Sequence, residues 1–215
     1  MKYIEKTKSE HKMFDKWRKA GGWDASDPAN CKIFNQKAWD LKQEIKELLL
    51  REQKFICCYC EEQVAIENCH IEHLLPKGKP QFAHLKSSYS NLLCSCDYPK
   101  SCGHGKGNST INVSPLQTTC GDAFAYDDNG KIEGKDQDAV NTIRDLKLDC
   151  ERLNAARNGI IAVFLNVMPD DITLSEYDDW IDDYLKPEKQ GSEERFRRFW
   201  SVVKFIAQKY RSLYT

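Results

Sequence analysis

Between residues 35 and 53 apolar side chains recur at spacings of three and four (Ala38, Leu41, Ile45, Leu48), which predicts an amphipathic helix with Asn35 as its N-cap. A shorter helix is predicted over about 8–20 and is broken by Gly21-Gly22. Phe55-Ile56 predict a short strand. From 60 to 115 the periodicity dissolves into a loop-rich stretch of Pro, Gly, Asn and Ser, with too few apolar residues for a core of its own. Beyond it, Phe124–Tyr126 and Lys131-Ile132 predict two short strands around the turn Asp128-Asn129-Gly130. Helices are predicted over 137–146 and 150–167, the second carrying Leu153, Arg157, Ile160, Phe164 and Leu165 and stopped by Pro169. Two more fit 173–185 and 191–213. There is no internal repeat and no low-complexity segment.

The 215 residues, 40% hydrophobic and 30% charged, suit a soluble globular chain of one large domain or a small core with helical additions. No stretch approaches the apolar length of a membrane span, so no membrane role is expected. The opening MKYIEKTKSEHKMFDKW lacks the apolar region of a secretory signal. A cytoplasmic location follows as an expectation. In that reducing compartment ten cysteines read as metal ligands or buried thiols rather than disulfides.

Net charge is −1, and its distribution is more informative than its sum. From Leu74 to Gly107 the bases Lys77, Lys79, Lys86, Lys100 and Lys106 face a single acid, Asp97. Arg195, Arg197, Arg198, Lys204, Lys209 and Arg211 form a second basic cluster, to be weighed against an ordinary solvated helix face. An acidic run from Asp170 to Asp183 lies between them. Basic clusters attract phosphate backbones, and Lys77, Lys79 and Lys106 are the candidate nucleic-acid contacts.

Chemistry concentrates in the loop-rich centre. Cys57 and Cys60 have the spacing with which a tight turn grips zinc. Cys96 and Cys102 are the expected second pair, across an insertion of Asp97-Tyr98-Pro99-Lys100-Ser101, with Cys94 as the alternative to Cys96. Cys58 is expected to point away. A finger built on Cys57, Cys60, His70 and His73 fits poorly, because its spacings are too short. Cys31, Cys69, Cys120 and Cys150 read as packing residues. Between the pairs stands His70-Ile71-Glu72-His73. Phosphodiester cleavage needs an activated water and charge neutralisation, which a histidine base and a carboxylate-held metal supply. Glu72 and His73 reach one site where a strand end bends into the loop of Pro76, Gly78 and Pro80.

The order Cys-x2-Cys, Glu72-His73-x2-Pro76-Lys77, Asn91-Leu92-Leu93-x2-Cys96, Cys102-Gly103-x2-Lys106-Gly107-Asn108 and Ser114-Pro115 resembles the HNH endonuclease superfamily. It is most similar to the retron-associated HNH proteins and the PtuB nucleases of Septu anti-phage systems. Cys120, Phe124, Tyr126, Gly130-Lys131-Ile132, Leu146, Leu153 and Arg157 extend the likeness over roughly residues 1–165. The resemblance implies His73 as general base, Glu72 as catalytic-metal ligand and Asn91 as the residue that orients the base. It also implies Cys57, Cys60, Cys96 and Cys102 as structural zinc ligands, and a phosphate contact at Lys106. One departure stands out: the family's last metal-binding position falls on Gly103, which has no side chain to offer. His104, flanked by glycines, and Asn108 are the candidates for that role. His70 is either an auxiliary ligand or a satisfied loop histidine, and His11 and His84 read as surface residues.

The expectation is therefore an α+β protein: a zinc-stapled ββα-metal (HNH) core at 54–135, a helical N-terminal arm at 1–53 and a helical C-terminal region at 136–215. Its expected function is metal-dependent cleavage of nucleic acid in anti-phage defence, with structural Zn²⁺ and catalytic Mg²⁺ or another divalent cation. The resemblance implies a PtuA-like ATPase partner and, in retron systems, a reverse transcriptase with its RNA–DNA hybrid. The acidic run and the terminal helix are the candidate docking surfaces. The alternative is a non-catalytic zinc-dependent module that binds nucleic acid or a partner.

Overall fold

The computed structural model describes residues 1–6, 36–86 and 88–214. The predicted helix at 8–20, the Gly21-Gly22 break, the Asn35 cap, His11 and Cys31 lie outside the described residues. Helix α1 spans Gln36–Glu52 and buries Ile45, Leu49 and Leu50 against the sheet that follows. Lys54 and Phe55 take left-handed backbone (φ 50° and 61°), which ends the helix abruptly. The strand expected at Phe55-Ile56 shrinks to one bridge, Ile56 to Gln63, at the base of the turn that carries Cys57 and Cys60.

The loop-rich stretch contains two strands that periodicity missed, β1 (Cys69–His73) and β2 (Leu92–Cys96). They pair antiparallel with Cys69 opposite Cys96, Glu72 opposite Leu93 and His73 opposite Leu92. All five residues of β2 are buried, so alternation, the usual strand signal, is erased. A short helix, α2 (Cys102–Lys106), follows and packs on β2. This strand–strand–helix unit carries the candidate site.

Strands β3 (Phe124–Tyr126) and β4 (Ile132–Gly134) form the second hairpin where the Asp-Asn-Gly turn predicts it. Helix α3 (Gln137–Leu146) starts at Asp136, whose side chain accepts the Ala139 N–H at 2.8 Å. Helices α4 (Glu151–Val167) and α5 (Leu174–Tyr184) match their predicted spans to within a residue or two, the latter with a Thr173–Glu176 capping box. Arg157 of α4 is almost fully buried, yet its guanidinium donates to the carbonyls of Gly130 and Leu148 and to Asn154.

The helix predicted over 191–213 is corrected. Its start instead forms the turn and second strand of a hairpin of β5 (Glu188–Gln190) and β6 (Glu193–Arg195), and only α6 (Trp200–Tyr210) is α-helical. Gly191, at φ 64°, makes the turn, and Phe199, at φ 55° and fully buried, sets the start of the helix. The result is a mixed architecture of helices and small sheets. One apolar cluster runs through Leu49, Leu93, Leu146, Leu153, Phe199 and Ile206, joining the sheet unit to both terminal regions.

Candidate metal centre and active site

Cys57, Cys60, Cys96 and Cys102 converge, all buried, with their sulfurs all within 4.8 Å of one another. The Cys60 and Cys96 sulfurs lie 3.9 Å apart, against about 3.8 Å for the edge of a tetrahedron with Zn–S bonds near 2.3 Å. The surroundings favour a thiolate at Cys57, while Cys60 and Cys102, beside it, are held well above the ordinary thiol range. The Cys96 N–H donates to Cys57 Sγ at 3.3 Å. Burial alone would raise the Cys57 thiol, but hydrogen bonds shared with Cys102, Cys58, Cys60 and Cys96 outweigh it and hold it well below its ordinary range. Arg152 supplies a cation that senses Cys60 and Cys96, and two of its guanidinium nitrogens are buried without an oxygen or nitrogen partner. Cys102 sits in left-handed backbone, φ 55°. Such a conformation costs about 1–2 kcal/mol outside glycine and persists where the surroundings demand it. This donor set is compatible with zinc.

The two alternatives weighed for the zinc ligands separate here. Cys94 Sγ donates away from the cluster, to the Lys46 carbonyl of α1 at 3.7 Å. His70 and His73 both engage other groups, so the cysteine–histidine finger does not assemble. Cys58, Cys69 and Cys120 are buried in the apolar cluster.

On the next face of the sheet, Glu72 is 7% exposed. Its Oε1 pairs with the Lys106 ammonium of α2 at 2.8 Å and accepts the Tyr59 hydroxyl at 3.2 Å. Its Oε2 faces His70 Nε2 at 3.4 Å. Burial works to raise the Glu72 carboxyl, and His70 and Lys106 more than offset it, holding it below the ordinary carboxylate range. His70 Nδ1 lies 2.9 Å from Asp97 Oδ1, and His104 Nε2 lies 3.3 Å from the same oxygen. The two imidazoles lie against each other with centroids 4.4 Å apart and planes tilted by 48°.

His73 ends β1 with Nε2 3.0 Å from the Lys86 carbonyl. A carbonyl only accepts, so Nε2 carries the proton and the neutral ring keeps Nδ1 as its basic nitrogen. Burial pushes this imidazole down and the charge of Lys77 adds to the push, more than the Lys86 bond lifts it. Lys86 belongs to the long connection between β1 and β2, and Asn91 anchors that connection. Its Oδ1 accepts the Leu75 N–H at 2.8 Å, and its Nδ2 donates to the carbonyls of Leu75 (3.0 Å) and Leu85 (3.3 Å). Asn91 therefore fixes both ends of the loop that orients His73.

The structure thus brings Glu72, His73, Asn91 and Lys106 together on one unit. Lys106 is buried, 2% exposed, with its ammonium on Glu72 and on the His73 carbonyl. Its place is inside the site, between the Glu72 carboxylate and the β1 backbone. Lys77 is exposed and Lys79 half-buried in the β1–β2 loop. His104 is brought to Asp97 and His70. Asn108 is exposed beside Gly78, at the far end of α2. The C-terminal basic cluster is largely engaged within the protein, Arg197 with Glu188, Arg198 with Glu62, Lys209 with Asp128 and Arg211 with Asp178. Sequence reasoning passed over Tyr59 and Asp97. Tyr59 lies inside the first cysteine pair and Asp97 directly after Cys96, adjacency that marks them in hindsight.

No family model matches the chain. A retron Vc95 protein of Vibrio cholerae (serotype O1 biovar El Tor), named as a candidate HNH endonuclease, is 28% identical over 97 residues. The match covers 43% of this chain and 47% of that protein, so the chain spans about half the length of the curated relative it matches. It supports the resemblance to the HNH superfamily, retron-associated, that the motifs carry. Among the described residues, no helix is long and apolar enough to cross a membrane.

Proposed function

We propose that this protein is a metal-dependent HNH endonuclease, the nuclease effector of a Septu- or retron-type anti-phage system. The observation that carries the reading is the pair Glu72-His73 at the end of β1, with the base oriented by a loop that Asn91 holds at both ends. His73, its Nε2 proton on the Lys86 carbonyl, takes a proton from the attacking water at Nδ1. Glu72 presents a carboxylate kept ionised by His70 and Lys106. Glu72 would hold a divalent metal there, which when bound would supply charge neutralisation for the scissile phosphate and the leaving oxygen. Lys77 and Lys79, on the same loop as the base's hydrogen-bond partner, are placed to steady the substrate backbone. Zinc on the four cysteines sets the position of α2 and with it Lys106. A PtuA-like ATPase, or a reverse transcriptase with its RNA–DNA hybrid, is the partner this reading entails, and the acidic side chains of α5 are its candidate docking surface.

The test is cleavage of a panel of DNA and RNA, single and double stranded, by the protein with divalent cation, alone and with such an ATPase. His73→Ala should lower the rate by ~10²–10⁴-fold while the protein stays folded and zinc-loaded. Wild-type activity in that variant removes the base assignment.

A second reading, a non-catalytic zinc-dependent binding module, draws on one observation: the buried Lys106 ammonium already neutralises Glu72. Binding without cleavage of any substrate in the panel, with partner present, favours it.

A further inference from the structure

We infer that His70 is the second protein ligand of the catalytic metal, taking the place that Gly103 leaves open. This rests on the reading of Glu72 as a metal ligand. A Cβ built on Gly103 would lie 2.4 Å from His70 Nε2 and 2.6 Å from Glu72 Oε2. The volume in which a side chain at position 103 would begin is therefore filled by the tip of His70, which reaches it from β1. The two facing atoms, His70 Nε2 and Glu72 Oε2, are 3.4 Å apart. Two ligand atoms of one ion with bonds near 2.1 Å sit about 3 Å apart in octahedral geometry. The other oxygen of Glu72 is already committed to Lys106 and Tyr59, which leaves Oε2 as the ligand atom.

The far side of His70 is built as metal-bound histidines are. Nδ1 is 2.9 Å from the Asp97 carboxylate, a contact that fixes the ring's rotation and leaves Nε2 as the nitrogen turned toward Glu72 Oε2. His104 packs against the ring at a tilt and shares Asp97. It acts as a positioning residue and not as the ligand. Asp97 directly follows Cys96, and Gly103 directly follows Cys102, with its N–H on Ser95 Oγ at 3.0 Å. The zinc cluster thus sets both the partner of His70 and the space His70 enters. One imidazole and one carboxylate suit a first-row divalent ion such as Mn²⁺ better than Mg²⁺.

The experiment is Mn²⁺ titration of the zinc-loaded protein, read by electron paramagnetic resonance, with zinc content and melting temperature measured on every variant. Mn²⁺ does not compete with zinc for thiolates. Wild type should bind one Mn²⁺. Glu72→Gln and His70→Ala should each weaken binding by more than about 100-fold, and Asp97→Asn by about 10–100-fold, the usual effect of losing an outer partner. Gly103→Ala probes the same space from the helix side. The atoms it meets are the ends of two side chains, so the fold should survive while Nε2 and Oε2 are pushed apart and Mn²⁺ binding falls. If His70→Ala and Gly103→Ala bind Mn²⁺ as wild type does while Glu72→Gln does not, the inference is overturned and the Glu72 reading stands. If Glu72→Gln binds normally while Asp97→Asn and His104→Ala do not, the ion sits on the outer trio of His70, Asp97 and His104 and both fall. A wild type that binds no Mn²⁺ overturns the inference whatever cleavage shows.

Discussion

At the scale of single residues, the candidate site depends on side chains that hold other side chains. Asn91 shows this most clearly, because its side-chain hydrogen bonds go to Leu75 and Leu85 rather than to His73. Replacing it with Ala strands the Leu75 N–H and two carbonyls, at about 1–3 kcal/mol for a buried unsatisfied group, and loosens the loop that offers Lys86 to the base. Misplacement of that order costs about 10²-fold in rate. Asn91→Ala should therefore lower the melting temperature by several degrees and cleavage by about that factor, with zinc content unchanged. Asn91→Asp keeps the bond from Leu75 N–H but opposes two carbonyls with a carboxylate, and should fare no better. Differential scanning fluorimetry beside a single-turnover assay checks both. Glu72, His73, Asn91 and the four clustered cysteines were legible in sequence because their spacing along the chain is itself the motif. The relation of His70 to Gly103 was not, since it is a contact across space between β1 and α2, and a glycine states what is missing without stating what fills it. The burial of Lys106 was hidden for a related reason: a lysine in a basic stretch reads as a surface charge until the carboxylate that receives it is seen.

At the scale of elements, the cysteine cluster joins three pieces: the turn after α1, the end of β2 and the start of α2. Helix α2 is five residues long and too short to persist by its own hydrogen bonds. Its position comes from Cys102 at its first residue and from contact with α3. Cys102→Ser should therefore abolish zinc binding and free α2, so that Lys106 leaves Glu72 and nuclease activity is lost together with the metal. Structural zinc in isolated modules supplies roughly 10–16 kcal/mol of apparent binding energy. The loss here should be smaller, because Tyr59, Val64 and Leu93 around the cluster are buried in a wider apolar core. Metal analysis and circular dichroism on the variant test it: unchanged zinc and melting would make Cys102 an ordinary buried thiol. Helices α3, α4 and α5 were legible: Asp136 and Thr173 cap α3 and α5, and Pro169 follows the end of α4. The hairpin at 188–195 was not, because Glu-Glu-Arg-Phe-Arg-Arg reads equally well as helix, and the turn at Gly191 decides it only in three dimensions.

At the scale of the molecule, the C-terminal region is fastened to the cysteine turn through Glu61, the residue after Cys60. The Glu61 carbonyl accepts the Phe199 N–H at 2.9 Å. Its buried carboxylate accepts the Ser201 N–H at 2.7 Å and meets the Met1 ammonium at 2.8 Å. A negative group at the first turn of α6 also matches the helix dipole. Burial would raise the Glu61 carboxyl, but the Met1 ammonium and the Ser201 N–H outweigh it and hold it below its ordinary value of 4.5. The folded state therefore binds its proton less readily than the unfolded chain. Such a group contributes stability that is fully present above the unfolded carboxylate pKa and is lost as pH falls through the depressed folded value. Glu61→Gln removes the charge and leaves the ammonium buried without its counter-ion, a change that costs about 3–5 kcal/mol when one partner of a buried pair is deleted. The variant should be destabilised by that order at pH 7, and its deficit should shrink as both proteins are acidified below about pH 4. Zinc release in acid weakens both proteins alike, so the difference between their unfolding midpoints isolates Glu61. Urea unfolding at a series of pH values measures it, and a deficit that stays constant from neutral to acid pH would show that Glu61 acts through shape rather than charge.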